Sequence, residues 1–335
     1  MLERDAEQES ITAFVESARR GAGACLVISG PPGIGKTALA AQAAVAARAA
    51  GMLTLTARGT QLESDYALGV VRQLLERAVR ELPAAVRDEL AKGAGEIAMG
   101  ALGLARARES SAADGGFAVL HGLYWLVADL AVRGPVALIV DDAHWGDDLS
   151  NRWLAFLAQR VEELPVLLVI TLRSAELADN PVLGEIELAS ASRVVRPRPL
   201  SAPACAVIVE QALGSQPEPE FTSACHQVTG GNPLLLRELL AVLAGESVAP
   251  TAAAVEQLEA VGPQAVVGYV KRTLLRLPRR GQEIAWAAAV FGPGAELVHV
   301  AELAGLHRHD AADAVDLLVG AGVLASGDRL ELSIP

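Results

Sequence analysis

CLVISGPPGIGKTALAAQ, residues 25–42, is the stretch on which every other reading depends. Its opening, CLVIS (25–29), is too evenly apolar to alternate, as expected of a short strand buried on both faces. GPPGIGKT, Gly30 to Thr37, fits the pattern G-x-x-x-x-G-K-[ST], and an alanine-rich helix follows to about Ala50. The chemistry needs each part. Glycines let backbone N–H groups turn inward around phosphate oxygens, and the following helix directs its positive end at the same charge. Lys36 has the reach for β- and γ-phosphates, and the Thr37 hydroxyl suits Mg²⁺. Gly30, Pro32, Gly33, Ile34, Gly35, Lys36, Thr37 and Ala38 are therefore the residues expected around a bound ATP or ADP.

Outward from this loop, apolar runs mark further strands: MLTLTA (52–57), PVALIVDD (135–142) and PVLLVITLR (165–173). Helical patterns separate them, which implies an α/β fold with a three-layer, parallel sheet. VALIVDDAHW ends its strand in two carboxylates. Asp141 is expected in the Mg²⁺ shell, with Thr37, and Asp142 is expected to orient or deprotonate a water attacking the γ-phosphate. Arg173, at the end of the next strand, is expected to report phosphate through charge-assisted hydrogen bonds. In TGGNPLLLREL, Asn232 caps a helix that Pro233 opens.

The 335 residues exceed one ordinary domain. Hydrophobic residues make up 52% and aromatics 4%, so the cores must be built from Leu, Val and Ala. A net charge of −12 argues against wrapping nucleic acid by bulk electrostatics. Cys25, Cys205 and Cys225 have no metal or redox spacing and read as free thiols. The six histidines are scattered, without a metal-binding spacing. The start, MLERDAEQES, is too charged for a signal peptide, and no apolar run is long enough to span a membrane, so a cytoplasmic chain is expected. Beyond about Leu200 only helices follow, until a terminal VLAS-GD-RLELSI pattern that reads as a hairpin. Three helices and a hairpin suggest a winged helix. KRTLLRLPRR (271–280) reads as a solvated linker. Residues 265–335 hold seven Lys/Arg against eight Asp/Glu, a poor balance for DNA.

Together these residues resemble the P-loop NTPases of the AAA+/STAND type, and among them the large ATP-binding regulators of the LuxR family. LERDAE is similar to that family's opening motif, ARGTQLESDYALGVVRQLLE to its second-strand segment, and FAVLHGLYWLVADLA with VDDAHWGDDLS to its central region. TGGNPLLLRELL and LPRRGQEIAWAAAVFG resemble its later segments. The resemblance implies a sheet of order 5-1-4-3-2 in residues 1–200, a helical lid in 201–262 and a winged-helix domain in 263–335 used for packing. It implies that Pro233 contacts adenine and that Arg4 lies near the base or the lid. It implies a switch that senses ATP and hydrolyses it slowly, and it raises self-association with ATP. Specific DNA binding by this region is not expected, nor contact with a membrane. The family's histidine-proline pair is replaced by Ile334-Pro335. Its helical repeats and C-terminal helix-turn-helix, which would be partners in the same polypeptide, have no counterpart in these residues. An autonomous P-loop enzyme and an origin-recognition-like ATPase are the alternatives.

Overall fold

The computed structural model describes residues 1–60, 66–105, 115–174, 180–275, 277–292, 294–321, 323, 324 and 330. The chain forms two compact units: one comprises Arg4–Gly30 with Lys36–Pro197, the other Met1–Glu3, Pro31–Gly35 and Arg198–Pro335.

The first unit runs α1 (Asp5–Arg19), β1 (Ala24–Ser29), α2 (Lys36–Ala49), β2 (Leu53–Arg58), α3 (Gly69–Arg80), α4 (Ala84–Leu90), α5 (Ala94–Ala101), α6 (Gly115–Val132), β3 (Val136–Asp141), α7 (Asp148–Ala158), β4 (Val166–Leu172), α8 (Pro181–Leu188) and β5 (Ser192–Val195). The sheet order is β2-β3-β4-β1-β5, which from the β5 edge reads 5-1-4-3-2. Every neighbouring pair is parallel.

Successive side chains of a strand face opposite sides, so each inner strand feeds two cores. Leu26, Ile28, Ala137, Ile139, Leu167 and Val169 pack with Ile11 and Val15 of α1 and Leu39 and Ala43 of α2. Cys25, Val27, Leu138, Val140, Leu168 and Ile170 pack with Leu74 of α3, Leu126 of α6 and Trp153 of α7. That is the physical content of the three layers, and it explains why the inner strands carry no polar alternation. β2, at the edge, is exposed or half-buried except at Ala57. Asp147 joins two helices of the larger core. Its buried carboxylate accepts from Ser150 N–H at 2.9 Å, capping α7, and from Leu68 and Gly69 N–H at 2.8 and 2.9 Å, at the start of α3.

The second unit contains α9 (Ala202–Leu213), α10 (Pro219–Thr229), α11 (Pro233–Gly245), α12 (Val255–Leu274), α13 (Arg279–Phe291), α14 (Leu297–Leu303) and α15 (Arg308–Gly320). It has two cores. Leu200, Phe221, Leu236, Leu240, Leu243 and Leu258 form one, and Leu274, Ile284, Ala288, Val300 and Leu318 form the other. The expected boundary at 262/263 falls inside α12, whose early residues join the first core and whose last joins the second. KRTLLRLPRR is not a linker throughout. Its first four residues end α12 and its last two open α13, with Pro278 at the break. Lysine, arginine and leucine continue a helix readily, so α12 runs into this stretch as far as Leu274, and Pro278 stands at the N-cap of α13. Arg280 pairs with Asp310 of α15 at 2.6 Å. Of the expected terminal hairpin only Val323, Leu324 and Leu330 are among the described residues; all three join the second of these cores, and Leu330 forms an antiparallel bridge with Ala295.

Candidate functional site

β1 ends at Ser29, and the chain turns through Gly33 at φ +78° and Gly35 at φ +106° before α2 begins. A side chain at either position meets the left-handed penalty. For Gly35 the need is conformational alone, because an added Cβ would touch nothing within 4 Å. Lys36, the first residue of α2, is buried and donates from Nζ to Gly30 O at 2.8 Å. An ammonium buried at a helix N-terminus suits an anionic phosphate chain.

Across the ends of β3 and β4 the carboxylates are arranged differently from each other. Asp141 Oδ1 accepts from Thr37 Oγ1 at 3.1 Å and from Thr171 Oγ1 at 2.7 Å. Asp142 takes the left-handed backbone, φ +51°, and its N–H donates to the same Thr171 oxygen at 2.7 Å. The Asp142 Oδ2 atom is paired with Arg58 Nη2 at 2.9 Å, and Arg58 Nε lies 3.7 Å from Asp141 Oδ2. Hydrogen bonding to Asp142, with the charges of both carboxylates, raises the guanidinium pKa above its ordinary value. Thr37 and Asp141 offer oxygen donors side by side, the ligand type of a hard cation, so the residues fit Mg²⁺.

Arg58 is the last residue of β2, in register with Asp141. The backbone beyond it must approach the next strand closely, since a Cβ on Gly59 would lie 2.3 Å from Asp142 O. Arg58, Thr171 and Gln73, which bonds the Arg58 backbone at 3.0 and 3.2 Å, have no motif spacing in the sequence. Only the strand order makes them neighbours of the acidic pair. An arginine closing the edge strand was the one available signal.

Arg173 follows β4, half-buried, with its guanidinium 5.4 Å from the Trp145 ring centroid. His144 shares this corner. Burial, then the positive charges of Arg173 and Lys36, pull its pKa down to about 2, so it is a neutral imidazole at physiological pH. In the sequence it is one of six scattered histidines, and no motif spacing singles it out. Arg4 is a buried residue at the N-cap of α1, its carbonyl accepting from Gln8 N–H at 2.9 Å.

In the second unit, Asn232 has two roles, of which the sequence reveals one. Its Oδ1 caps α11, accepting from Leu234 and Leu235 N–H at 3.0 and 3.4 Å, with Pro233 in the first turn. Its Nδ2 also donates to Pro32 O at 2.9 Å. Gly33 sits against this amide, where a Cβ would lie 2.6 Å from Asn232 Oδ1. Glu3 is held by Ser201, whose N–H donates to Oε2 at 2.9 Å and whose hydroxyl donates to Oε1.

Among the described residues no three His, Cys, Asp or Glu side chains cluster as a metal-binding group, and no helix is long and apolar enough to cross a membrane. All three cysteines are free and buried.

Comparison with known proteins bears on the family and the fold. In sequence, 168 residues are 28% identical to an uncharacterized protein of Rhizobium meliloti (strain 1021), covering 48% of this chain and 15% of that protein. The chain thus spans a small fraction of that relative's length. In structure, a Walker-type ATPase of Pyrococcus abyssi matches with a TM-score of 0.56 at 12% identity, over 100% of this chain and 94% of that one. The ORC1 protein of Aeropyrum pernix, solved in complex with DNA, matches at 0.53 and 16% identity, over 100% and 90%. Likenesses at such identity show the fold. The model of the AAA ATPase domain family matches residues 1–170, half of the chain, and its span takes in the turn after β1 and the acidic end of β3. This chain belongs to the AAA ATPase domain family.

Proposed function

We propose that the chain is an ATP- and ADP-binding switch module of a LuxR-family transcriptional regulator, in which slow hydrolysis of ATP resets the state. One observation carries the nucleotide reading: Thr37 and Asp141, 104 positions apart in sequence, meet at 3.1 Å beside the buried Lys36. Lys36 and the loop N–H groups would hold the phosphates, and Thr37 with Asp141 would hold Mg²⁺. The metal, when bound, neutralises charge on the phosphates. Asp142 would take the proton of an attacking water, while Arg173 and the neutral His144 line the same corner of the first unit. Pro233 as an adenine contact, Arg4 near the base and residues 263–335 as a winged helix belong to this proposal as well.

A switch suits the arithmetic. Moving an equilibrium from 1:99 to 99:1 needs about 5.5 kcal/mol of differential affinity. ATP and ADP differ by one phosphoryl group, and hydrogen bonds to charged groups contribute roughly 1.5–3 kcal/mol each. Two or three contacts from Lys36, Arg173 and the metal on Thr37 and Asp141 would be enough. The pairing of Asp142 with Arg58 also favours sensing over rapid turnover, because the carboxylate is engaged before any water arrives. The LuxR assignment is supported by the quoted segments and has its own test: a helix-turn-helix encoded in the same reading frame.

The DNA-bound structural relative motivates a second reading, an origin-recognition-like ATPase. Against it stand seven Lys/Arg and eight Asp/Glu in residues 265–335, and Asp313 and Asp316 on α15. Titration of labelled duplex DNA at physiological salt separates the two, since specific binding with a steep salt slope belongs to the second reading alone. Nucleotide binding itself is tested by the melting temperature of nucleotide-free protein with millimolar ATP, ADP and Mg²⁺.

A further inference from the structure

β2 is an edge strand, so one side of its backbone has no strand to pair with. In a parallel ladder, residues alternate in the side to which they present N–H and C=O. Leu53 and Gly59 N–H donate inward, to Pro135 O and Asp141 O at 2.9 Å each. By that alternation Arg58 directs its backbone groups away from β3. Gln73 takes both of them. Its Oε1 accepts from Arg58 N–H at 3.0 Å and its Nε2 donates to Arg58 O at 3.2 Å. One planar carboxamide thereby imitates the missing strand at the residue that needs it. The amide is carried by α3, which Val70, Val71, Leu74 and Leu75 anchor in the core.

This clamp governs direction more than bulk stability. The Arg58 side chain is 62% exposed, and its contacts at the site are to the two carboxylates. A long, solvated side chain rooted at a fraying strand end would sample many orientations. Rooted by two backbone hydrogen bonds, it presents its charge to Asp142 and Asp141.

We propose that Gln73 is a positioning residue for the acidic pair. By clamping the Arg58 backbone it aims the guanidinium at Asp142 and Asp141, and so sets how strongly that cation opposes a divalent cation at Asp141. The second half of the proposal rests on reading Asp141 as a metal ligand.

Gln73→Met removes both bonds at nearly constant volume. Gln73→Glu keeps an acceptor for Arg58 N–H and removes the donor to Arg58 O. In the folded, nucleotide-free chain, the NMR signal and hydrogen-exchange rate of Arg58 Nε–H report the guanidinium's pairing directly. Gln73→Met is expected to speed that exchange about five-fold, the scale of one modest net hydrogen bond, and Gln73→Glu to fall between it and wild type. In Mg²⁺ titrations with a non-hydrolysable ATP analogue, Arg58→Met is expected to lower the half-saturating Mg²⁺ concentration about five-fold, the Coulombic weight in water of a unit charge about 8 Å from a divalent ion on the far side of the carboxylate. Gln73→Met should shift it in the same direction by less, and the double variant should match Arg58→Met alone.

Unchanged Arg58 Nε–H exchange in folded Gln73→Met overturns the proposal whatever the nucleotide data say. Independent, additive Mg²⁺ shifts overturn it too. If Gln73→Met fails to fold, Gln73→Glu supplies both comparisons. Wild-type protein whose analogue binding ignores Mg²⁺ would overturn the metal reading, and the competition with it. The exchange result separates that failure from failure of the clamp.

Discussion

The ends of β1 and β2 lie in one sheet, yet they are specified in opposite ways. β1 is an inner strand, with all six residues buried between β4 and β5, and the turn after it gets its shape from its own glycines. β2 is an edge strand, and its last residue is held by groups 15 and 84 positions away, Gln73 and Asp142. At the first end the chain encodes the conformation it needs within eight residues. At the second, an ordinary arginine acquires a role from whatever the fold sets beside it. Local chemistry is therefore legible at one end and invisible at the other.

The largest expected effect tests the locally encoded end. Lys36→Ala should abolish nucleotide binding, so that ATP with Mg²⁺ at a hundred times the wild-type dissociation constant, which stabilises wild type by about 2.7 kcal/mol, leaves the variant's melting temperature unmoved. An unchanged thermal shift would remove the loop from the functional account.

Next comes the tertiary end. Gly59→Ala forces a Cβ against Asp142 O, at 2.3 Å in the native backbone. It should destabilise by about 1–3 kcal/mol, as overpacking does, and separate Arg58 from Asp142. Urea unfolding measures the first effect and Arg58 Nε–H exchange the second. If both stay at wild-type values, the two ends are not as different as their contacts suggest.

The carboxylates sharpen the contrast within β3. Asp141→Asn should weaken Mg²⁺-dependent ATP binding by roughly ten-fold or more, the loss of one charged contact. Asp142→Asn should leave binding within about two-fold and remove whatever hydrolysis wild type shows. Equal binding defects in calorimetric titrations with and without Mg²⁺ would erase the division of labour.

The smallest effect is pH-dependent. Burial and the charges of Arg173 and Lys36 hold the His144 pKa down to about 2, whereas in the unfolded chain it protonates near its ordinary value of 6.5. Between those values the unfolded state binds the extra proton, so this residue's contribution to stability falls as pH drops below about 6.5, by up to ~1.4 kcal/mol per pH unit. His144→Asn should flatten wild-type denaturation curves between pH 5 and 6.5 and leave them alone above 7. A slope that persists in the variant assigns it to other groups.

The sequence by itself determined what depends on short range: the strand–turn–helix around Lys36, the acidic end of β3, the helix opened by Asn232 and Pro233, and the dense apolar runs of the inner strands. These are legible because phosphate loops, caps and doubly buried strands each demand particular residue types at fixed spacing. KRTLLRLPRR reads as a linker, yet helix propensity carries α12 through its first charges as far as Leu274, and α13 opens at its last two. Only the tertiary structure decided that Arg58 faces both carboxylates, that Gln73 holds it there, that Thr171 bridges Asp141 and the Asp142 backbone, that His144 is buried beside Lys36 and Arg173, and that Asn232 reaches Pro32. Each of these contacts joins residues of unremarkable type across strand order or helix packing. A side chain's partner there follows from which elements become neighbours, and no local pattern of residues records that.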